Sequence, residues 1–264
     1  MNMLILDEPE IGQALPRTDP RIQHIRKVLK MGQGDTLLAG ITGDQPRTGQ
    51  ARIEAWDNQH MTLSFTPVQS AAELHPITVL LGFPRPIQAR RILKDLCSLG
   101  VSRIILSGTE LGEQSYLQSD FFRQRQFRPA LLEGAAQAAN PRLPLVETAW
   151  SLSKALDRLI SGSTNHLNGT YSPDASAMAG GSMAGWALDP HQAELSLGQM
   201  VNATPSGATA LILAIGSERG WTMPECRLLA EAGFQFAHLG TRILRTETAA
   251  LVAVAIVLAG MGNI

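Results

Sequence analysis

The chain of 264 residues is short of several things, and each shortage narrows what it can be. It has two cysteines, Cys97 and Cys226, both in helix-like segments. They could in principle pair, but buried or idle thiols in a reducing compartment is the reading their number and placing favour. Neither sign of charge is in excess, the formal net charge being −1. No overall positive field draws the molecule to nucleic acid, so any RNA or DNA site has to be a local basic patch. Long hydrophobic runs are missing. The longest, Ala249–Met261, falls short of the about 20 residues that a bilayer requires. Met1–Glu10 carries acids where a signal peptide carries Lys and Arg. The expectation is a cytoplasmic protein with no membrane contact.

What is present describes a globular chain, 44% hydrophobic and 17% charged, long enough for two ordinary domains or one large one. Residues 1–75 show little helical periodicity. Leu4–Leu6, Thr36–Ala39, Ala51–Trp56 and Met61–Phe65 read as strands between glycine- and Asp-marked turns, which predicts a small β-barrel. One segment interrupts it. Arg17, Arg21, Arg26, Lys27 and Lys30 stand there against the single acid Asp19. Ile22, Ile25, Val28 and Leu29 fall at helical spacing, so the basic residues would face solvent. Such a face is either a phosphate contact, where cations displace counterions, or simply a solvated helix face. His24, at the helix start, suits packing.

Residues 67–76 read as a linker, with a boundary near 72–75. Ile77–Leu81 is then a buried strand, ended by Gly82-Phe-Pro-Arg-Pro86, whose prolines stop pairing and open a helix. Ala89, Ile92, Leu93, Leu96 and Leu99 form its apolar stripe, and Gly100 stops it. Arg90, Arg91 and Lys94 lie on its other face and make, with Arg85, a second basic cluster at a strand's carboxyl end. Val101–Leu106 completes a βαβ unit. Asp120–Ala139 predicts a helix kinked or split at Pro129, Leu143–Glu147 a strand, and Ser151 or Ser153 the cap of a helix reaching Ile160. Residues 161–185, rich in Gly, Ser, Ala, Asn and Met, predict an irregular connection. Trp186–Asp189 resumes strand character. Asp189 can accept from a ribose or cap the next turn, and both stay open.

The C-terminal stretch organises the rest. Leu211–Ile215 breaks into Gly216-Ser-Glu-Arg-Gly220. Thr222-Met-Pro-Glu225 is a capping box, and a second apolar run reaches Gly240. After Thr241–Thr248 comes the almost wholly apolar segment Ala249–Gly260. Strand, glycine loop and helix, repeated, is an α/β pattern, and ligands of open α/β sheets bind at such strand ends. Gly216 and Gly220 let backbone amides face a ligand. The loop is no P-loop, because it lacks the Gly-Lys-Ser/Thr ending.

The order of these pieces carries more than any one of them. Gly216-x-Glu218-x-Gly220, a capped helix, Ala-Gly-Phe234, Leu239-Gly240 and Arg242-Ile-Leu-Arg-Thr-Glu-Thr-Ala249 closely resemble the C-terminal signature of the RsmE family. These are SPOUT-class RNA methyltransferases that use S-adenosylmethionine. His24–Leu29, Gly34-Asp35, Lys94, Leu99–Val101 and Ala136-Gln137 match it upstream, so the resemblance covers nearly the whole chain. It implies a PUA-like β-barrel that handles RNA over residues 1–73 and a SPOUT α/β domain with a C-terminal trefoil knot over 74–264. It further implies a homodimer, and methylation of N3 of a uridine in 16S ribosomal RNA of the small subunit. Carried onto this sequence, the donor pocket comprises Ile215, Gly216 and Gly220 from one loop. Leu239, Gly240, Ile243, Leu244 and Arg245 come from the other, with Leu188 and Asp189 at the rim. The RNA-binding residues would be Arg21, His24, Arg26, Lys27 and Lys30, with Arg85, Arg90, Arg91 and Lys94. The sequence departs from the family at three places. Gly216-Ser-Glu-Arg-Gly220 replaces Gly-Pro-Glu-Gly-Gly, Gly240-Thr241 replaces Gly-Pro, and Phe83-Pro-Arg-Pro86 replaces Lys-Gly-Asp.

The chemistry follows from the base. Uracil N3 carries a proton that must leave as the methyl group arrives, which calls for a base or for stabilisation of the anion. Arg245 and Arg242 are candidates to steady that charge. Glu218 is a candidate base or a loop-ordering residue. A sulfonium donor is already electrophilic, so no metal is expected. Two alternatives stay open: a methyltransferase for another RNA site, and a catalytically inactive RNA-binding factor in ribosome assembly.

Overall fold

The computed structural model describes residues 2–160, 183–203 and 210–264. The irregular connection expected over 161–185 lies outside the described residues except where it enters a strand at Met183. The chain divides into two units, each with its own sheet. The first unit is the chain up to Glu73 together with Leu132–Leu143. The second runs over Leu74–Leu131 and the described residues from Pro144 onward.

In the first unit, β1 (Leu4–Asp7), β2 (Ala14–Pro16), β3 (Thr36–Thr42), β4 (Arg47–Trp56) and β5 (His60–Ser70) form one sheet in the order β1-β3-β4-β5-β2. β1 and β3 are parallel and the other pairs antiparallel. Strand β4 shows why it can serve as a wall. Ala51 and Ile53 point inward and are fully buried while Arg52 and Glu54 face out, the period-two alternation of a sheet with one wet side. Leu4, Leu6, Ile41, Met61 and Leu63 complete the core. The segment Leu132–Leu143 joins this unit through local contacts: the backbone N–H groups of Asn2 and Met3 both donate to Ala136 O at 3.0 Å.

The basic segment forms a helix over Pro20–His24, with Asp19 accepting from the Arg21 N–H at 2.8 Å. Ile22 and Ile25 pack into the core as the stripe predicts. Val28 and Leu29 do not, standing 62% and 41% exposed. The helix widens into a π-turn over Ile25–Leu29, where the Lys30 N–H reaches back to Ile25 O and Lys30 takes φ 53°. That extra residue per turn rotates everything after Ile25 off the apolar stripe.

In the second unit, seven parallel strands lie in the order β10-β12-β9-β11-β6-β7-β8. They are β6 (His75–Gly82), β7 (Val101–Ser107), β8 (Leu145–Ala149), β9 (Met183–Leu188), β10 (Leu195–Ser196), β11 (Ala210–Ile215) and β12 (Gln235–His238). All six residues of β11 are buried, as in a strand covered on both faces, which is why it reads as an unbroken apolar run. The helices follow the sequence closely at Pro86–Ser98, Leu152–Ile160 and Met223–Glu231. The expected helix over Asp120–Ala139 is two helices, Asp120–Arg123 and Arg128–Ala138, with Pro129 in the first turn of the second. Thr246–Gly260 is the last helix; Ala250, Ala253, Val254, Val257 and Leu258 bury its inner face.

Candidate active site

Parallel pairing sets the strand ends of the second sheet side by side. Leu188 of β9 lies opposite Ile215 of β11 and Ala237 of β12; Ile215 lies opposite Leu81 of β6, and Leu81 opposite Leu106 of β7. The segments that follow these residues therefore emerge along one edge: Asp189, Gly216, Leu239-Gly240 and Phe83–Arg85. That edge is the carboxyl end of a parallel sheet, the place where ligands of open α/β sheets bind.

Two glycines let the loops approach each other. A Cβ on Gly82 would lie 2.5 Å from the Ser217 backbone nitrogen, and one on Gly216 would lie 2.9 Å from the Gly220 carbonyl carbon. Gly220 then closes the turn, its N–H donating to Ser217 O at 2.9 Å with φ +77°. Beside Gly220 and Gly240 the space that a side chain would fill is open, and Gly240 has φ +106°. The Gly240 N–H donates to His238 Nδ1 at 3.0 Å, which fixes the start of the second loop.

The capping reading of Asp189 is visible here. Its Oδ1 accepts from the His191 N–H at 2.7 Å and the Gln192 N–H at 3.2 Å, so the carboxylate caps the turn after β9. Its Oδ2 lies 3.9 Å from Cys226 Sγ. Burial, with the Asp189 charge beside it, pushes the Cys226 thiol up to about 11, so it is an idle thiol at neutral pH. Both cysteines are buried and neither is in a disulfide. Thr222 and Glu225 form the capping box, the Thr222 N–H donating to Glu225 Oε2 at 3.0 Å. Glu225 also accepts from the Glu110 N–H at 2.9 Å, and Thr222 Oγ1 donates to Glu110 Oε2 at 2.7 Å.

Among the charged candidates, Glu218 lies near Arg85, whose Nε is 3.7 Å from Glu218 Oε1 and donates to Tyr116 Oη at 2.7 Å. Arg219, Arg242 and Arg245 are exposed on the two loops, Leu239 and Leu244 are half-buried, and Ile243 is 91% exposed. Arg90 and Arg91 are exposed on the helix Pro86–Ser98, where Lys94 is half-buried. The first unit holds the other basic residues. His24 and Arg26 are half-buried, and Lys27 and Lys30 are exposed. Arg21 has a framework task in place of the RNA contact expected for it. Its guanidinium donates to Glu10 Oε1 and Asp19 Oδ2, each at 2.6 Å, and to Ile5 O at 2.9 Å, which leaves its fork committed to protein acceptors. Tyr116, Glu110 and the exposed Trp150, stacked 6.3 Å from Phe83, also stand at this end of the second unit. Their sequence neighbourhoods carry no motif, so nothing pointed to them before the strands were assembled.

The profile of the RNA methyltransferase domain matches residues 71–258. A curated relative from Treponema pallidum, named ribosomal RNA small subunit methyltransferase E, is 35% identical over 98% of this chain and 91% of its own length. The chain belongs to that family. A second member, ribosomal RNA small subunit methyltransferase E 1 of Borreliella burgdorferi, is 28% identical over 96% of this chain and 95% of its own. The fold agrees. The Neisseria gonorrhoeae ribosomal RNA small subunit methyltransferase E, solved bound to S-adenosyl methionine, superposes with a TM-score of 0.68 at 23% identity, covering 97% of both chains. An rRNA-methyltransferase structure from Porphyromonas gingivalis gives 0.71 at 19% identity, over 98% of this chain and 99% of that one.

Proposed function

We propose that this chain transfers a methyl group from S-adenosylmethionine to N3 of a uridine in 16S ribosomal RNA. The observation that carries the reading is the row of strand ends. Loops 216–220 and 239–245 leave β11 and β12 on either side of β9, with open space beside Gly220 and Gly240. The residues fit a flat, neutral adenine: Leu188, Ile215, Leu239 and Leu244 offer aliphatic walls, and glycine backbone offers hydrogen-bonding edges. Asp189 keeps the turn at the rim in place through its two backbone acceptances. Bound there, S-adenosylmethionine supplies an electrophilic sulfonium methyl group. Arg242 and Arg245 would steady the charge that develops on the uracil oxygens as N3 loses its proton. Glu218, near Arg85, is the acidic group of its loop available to take that proton.

The same reading assigns residues 1–73, which carry the sheet of the first unit, as a PUA-like barrel for RNA and residues 74–264 as the SPOUT domain, although Leu132–Leu143 pack with the first unit. In that domain the reading includes a trefoil knot in its C-terminal part, where β12 returns to lie between β9 and β10. Half-buried Leu251, Val252 and Ile256 on the last helix support a homodimer. Mass spectrometry of ribosomal RNA from cells with and without the protein tests the target. Loss of one methylated uridine in 16S RNA is expected, and an unchanged uridine set overturns the assignment. Calorimetry with S-adenosylmethionine tests the donor, and absence of binding would point to an RNA-binding factor without catalysis.

A further inference from the structure

The first unit contains a cavity of about 200 Å³ between its basic helix and the β4–β5 turn. It is smaller than the roughly 300–1,000 Å³ of pockets for drug-sized ligands, so one ring or one small group fits it, and a whole cofactor does not. Ile22 and Trp56 make its apolar wall, and Arg17, Arg26 and Lys27 bring three cations to it. The Arg26 guanidinium lies over the Trp56 ring, 5.7 Å from the centroid. Its Nη1 is buried and has no hydrogen-bond partner among the described residues. Asp57 is the one acid on the wall, and its Oδ1 is already taken by the N–H groups of Gln59 at 2.6 Å and His60 at 2.7 Å.

We propose that this cavity takes one unpaired nucleotide of the RNA. The base enters against Trp56, and the neighbouring phosphate lies by Arg17 and Lys27, the cations on the same wall. An aromatic face with a cationic rim is how unstacked bases are held without much choice of sequence. This rests on the RNA methyltransferase reading, but it concerns a site in the other unit from the methyl-donor loops. It gives the enzyme a second grip on its substrate, independent of the nucleotide that reacts.

The test uses the full chain and two probes of equal length. One is a short oligouridylate, and the other is the same ribose-phosphate chain without bases. Base stacking on an aromatic side chain corresponds to roughly a 5- to 150-fold change in affinity. The wild-type chain is expected to prefer the oligouridylate by a factor in that range. Trp56→Ala should lose the preference by weakening the oligouridylate alone, Trp56→Phe should keep most of it, and neither change should alter S-adenosylmethionine affinity. Equal weakening on both probes, or an undiminished preference in Trp56→Ala, overturns the pocket. Wild-type chain that binds both probes equally also overturns it while leaving RNA binding intact. Binding of neither probe removes the RNA reading of this unit as well.

Discussion

Arg21 shows at the scale of one residue how charge was spent on the framework. The hydrogen bond from Arg21 holds the Glu10 carboxyl below its ordinary value of 4.5, against burial that pushes the other way. For Asp19 burial pushes up, and the hydrogen bonds and charge of Arg21 outweigh it, so this carboxyl too lies below its ordinary 3.8. Carboxyls lowered by folding give stability that is complete above their ordinary values and is lost as pH falls through the folded ones. Arg21→Met should therefore destabilise the protein by roughly 1–3 kcal/mol at neutral pH. The gap in melting temperature between variant and wild type should close as the pH drops below about 4. A gap of constant size down to strong acid would show that the triad contributes only packing. Arg245 is the opposite case, a residue whose side chain is exposed at the start of the last helix. Arg245→Ala should lower turnover by about 10²-fold or more while donor affinity changes little. Equal loss of both would remove Arg245 from charge stabilisation and leave it as part of the donor pocket. The sequence could name both arginines but could not tell them apart, because their difference lies in Glu10 and Asp19.

At the scale of elements, strands β7 and β8 are tied by a pair that the sequence did not disclose. Arg103 is 4% exposed; its Nε donates to Glu147 Oε2 at 2.7 Å, and its Nη2 donates to Arg158 O at 3.2 Å. Arg103→Met leaves Glu147 with the more distant Arg158, at 3.9 Å, and should cost about 3 kcal/mol in urea unfolding. Adding Glu147→Leu should recover most of that loss, because a half-buried carboxylate left with only the distant Arg158 is the expensive part. A double variant as unstable as the single would mean that packing, not charge, sets the cost. Other elements were legible because their signals are local. The capping box at Thr222 and Glu225, the stripe that ends at Gly100 and the all-apolar β11 each depend on residues within a few positions. The π-turn after Ile25 was not legible. Nothing in Arg26–Leu29 distinguishes an α-turn from a wider one, and the widening turns Val28 and Leu29 to solvent.

For the whole molecule, the last helix sets the expectation. From Ala249 onward the helix Thr246–Gly260 is apolar on every side, and such a helix is buried on every side. In the single chain its inner face is covered, while Leu251, Val252 and Ile256 remain half-buried. A second copy would complete the burial. Sedimentation velocity should find wild-type protein at twice the chain mass and Ile256→Asp at the chain mass. Wild-type protein at the single mass sinks the homodimer.

The sequence by itself determined the α/β character, the two glycine loops, the capping box and the family, because these rest on short spacings and on residue order. Only the tertiary structure decided that β9 stands between β11 and β12, which brings Asp189, Gly216 and Gly240 to one edge from three separate stretches. It likewise decided that Asp189 caps a turn, that Arg21 is bound to two acids, and that the Arg26 guanidinium lies over Trp56 beside a cavity. The physical reason is the same each time. A side chain's task depends on the partner that reaches it, and strand pairing and packing bring together partners that lie far apart in the chain.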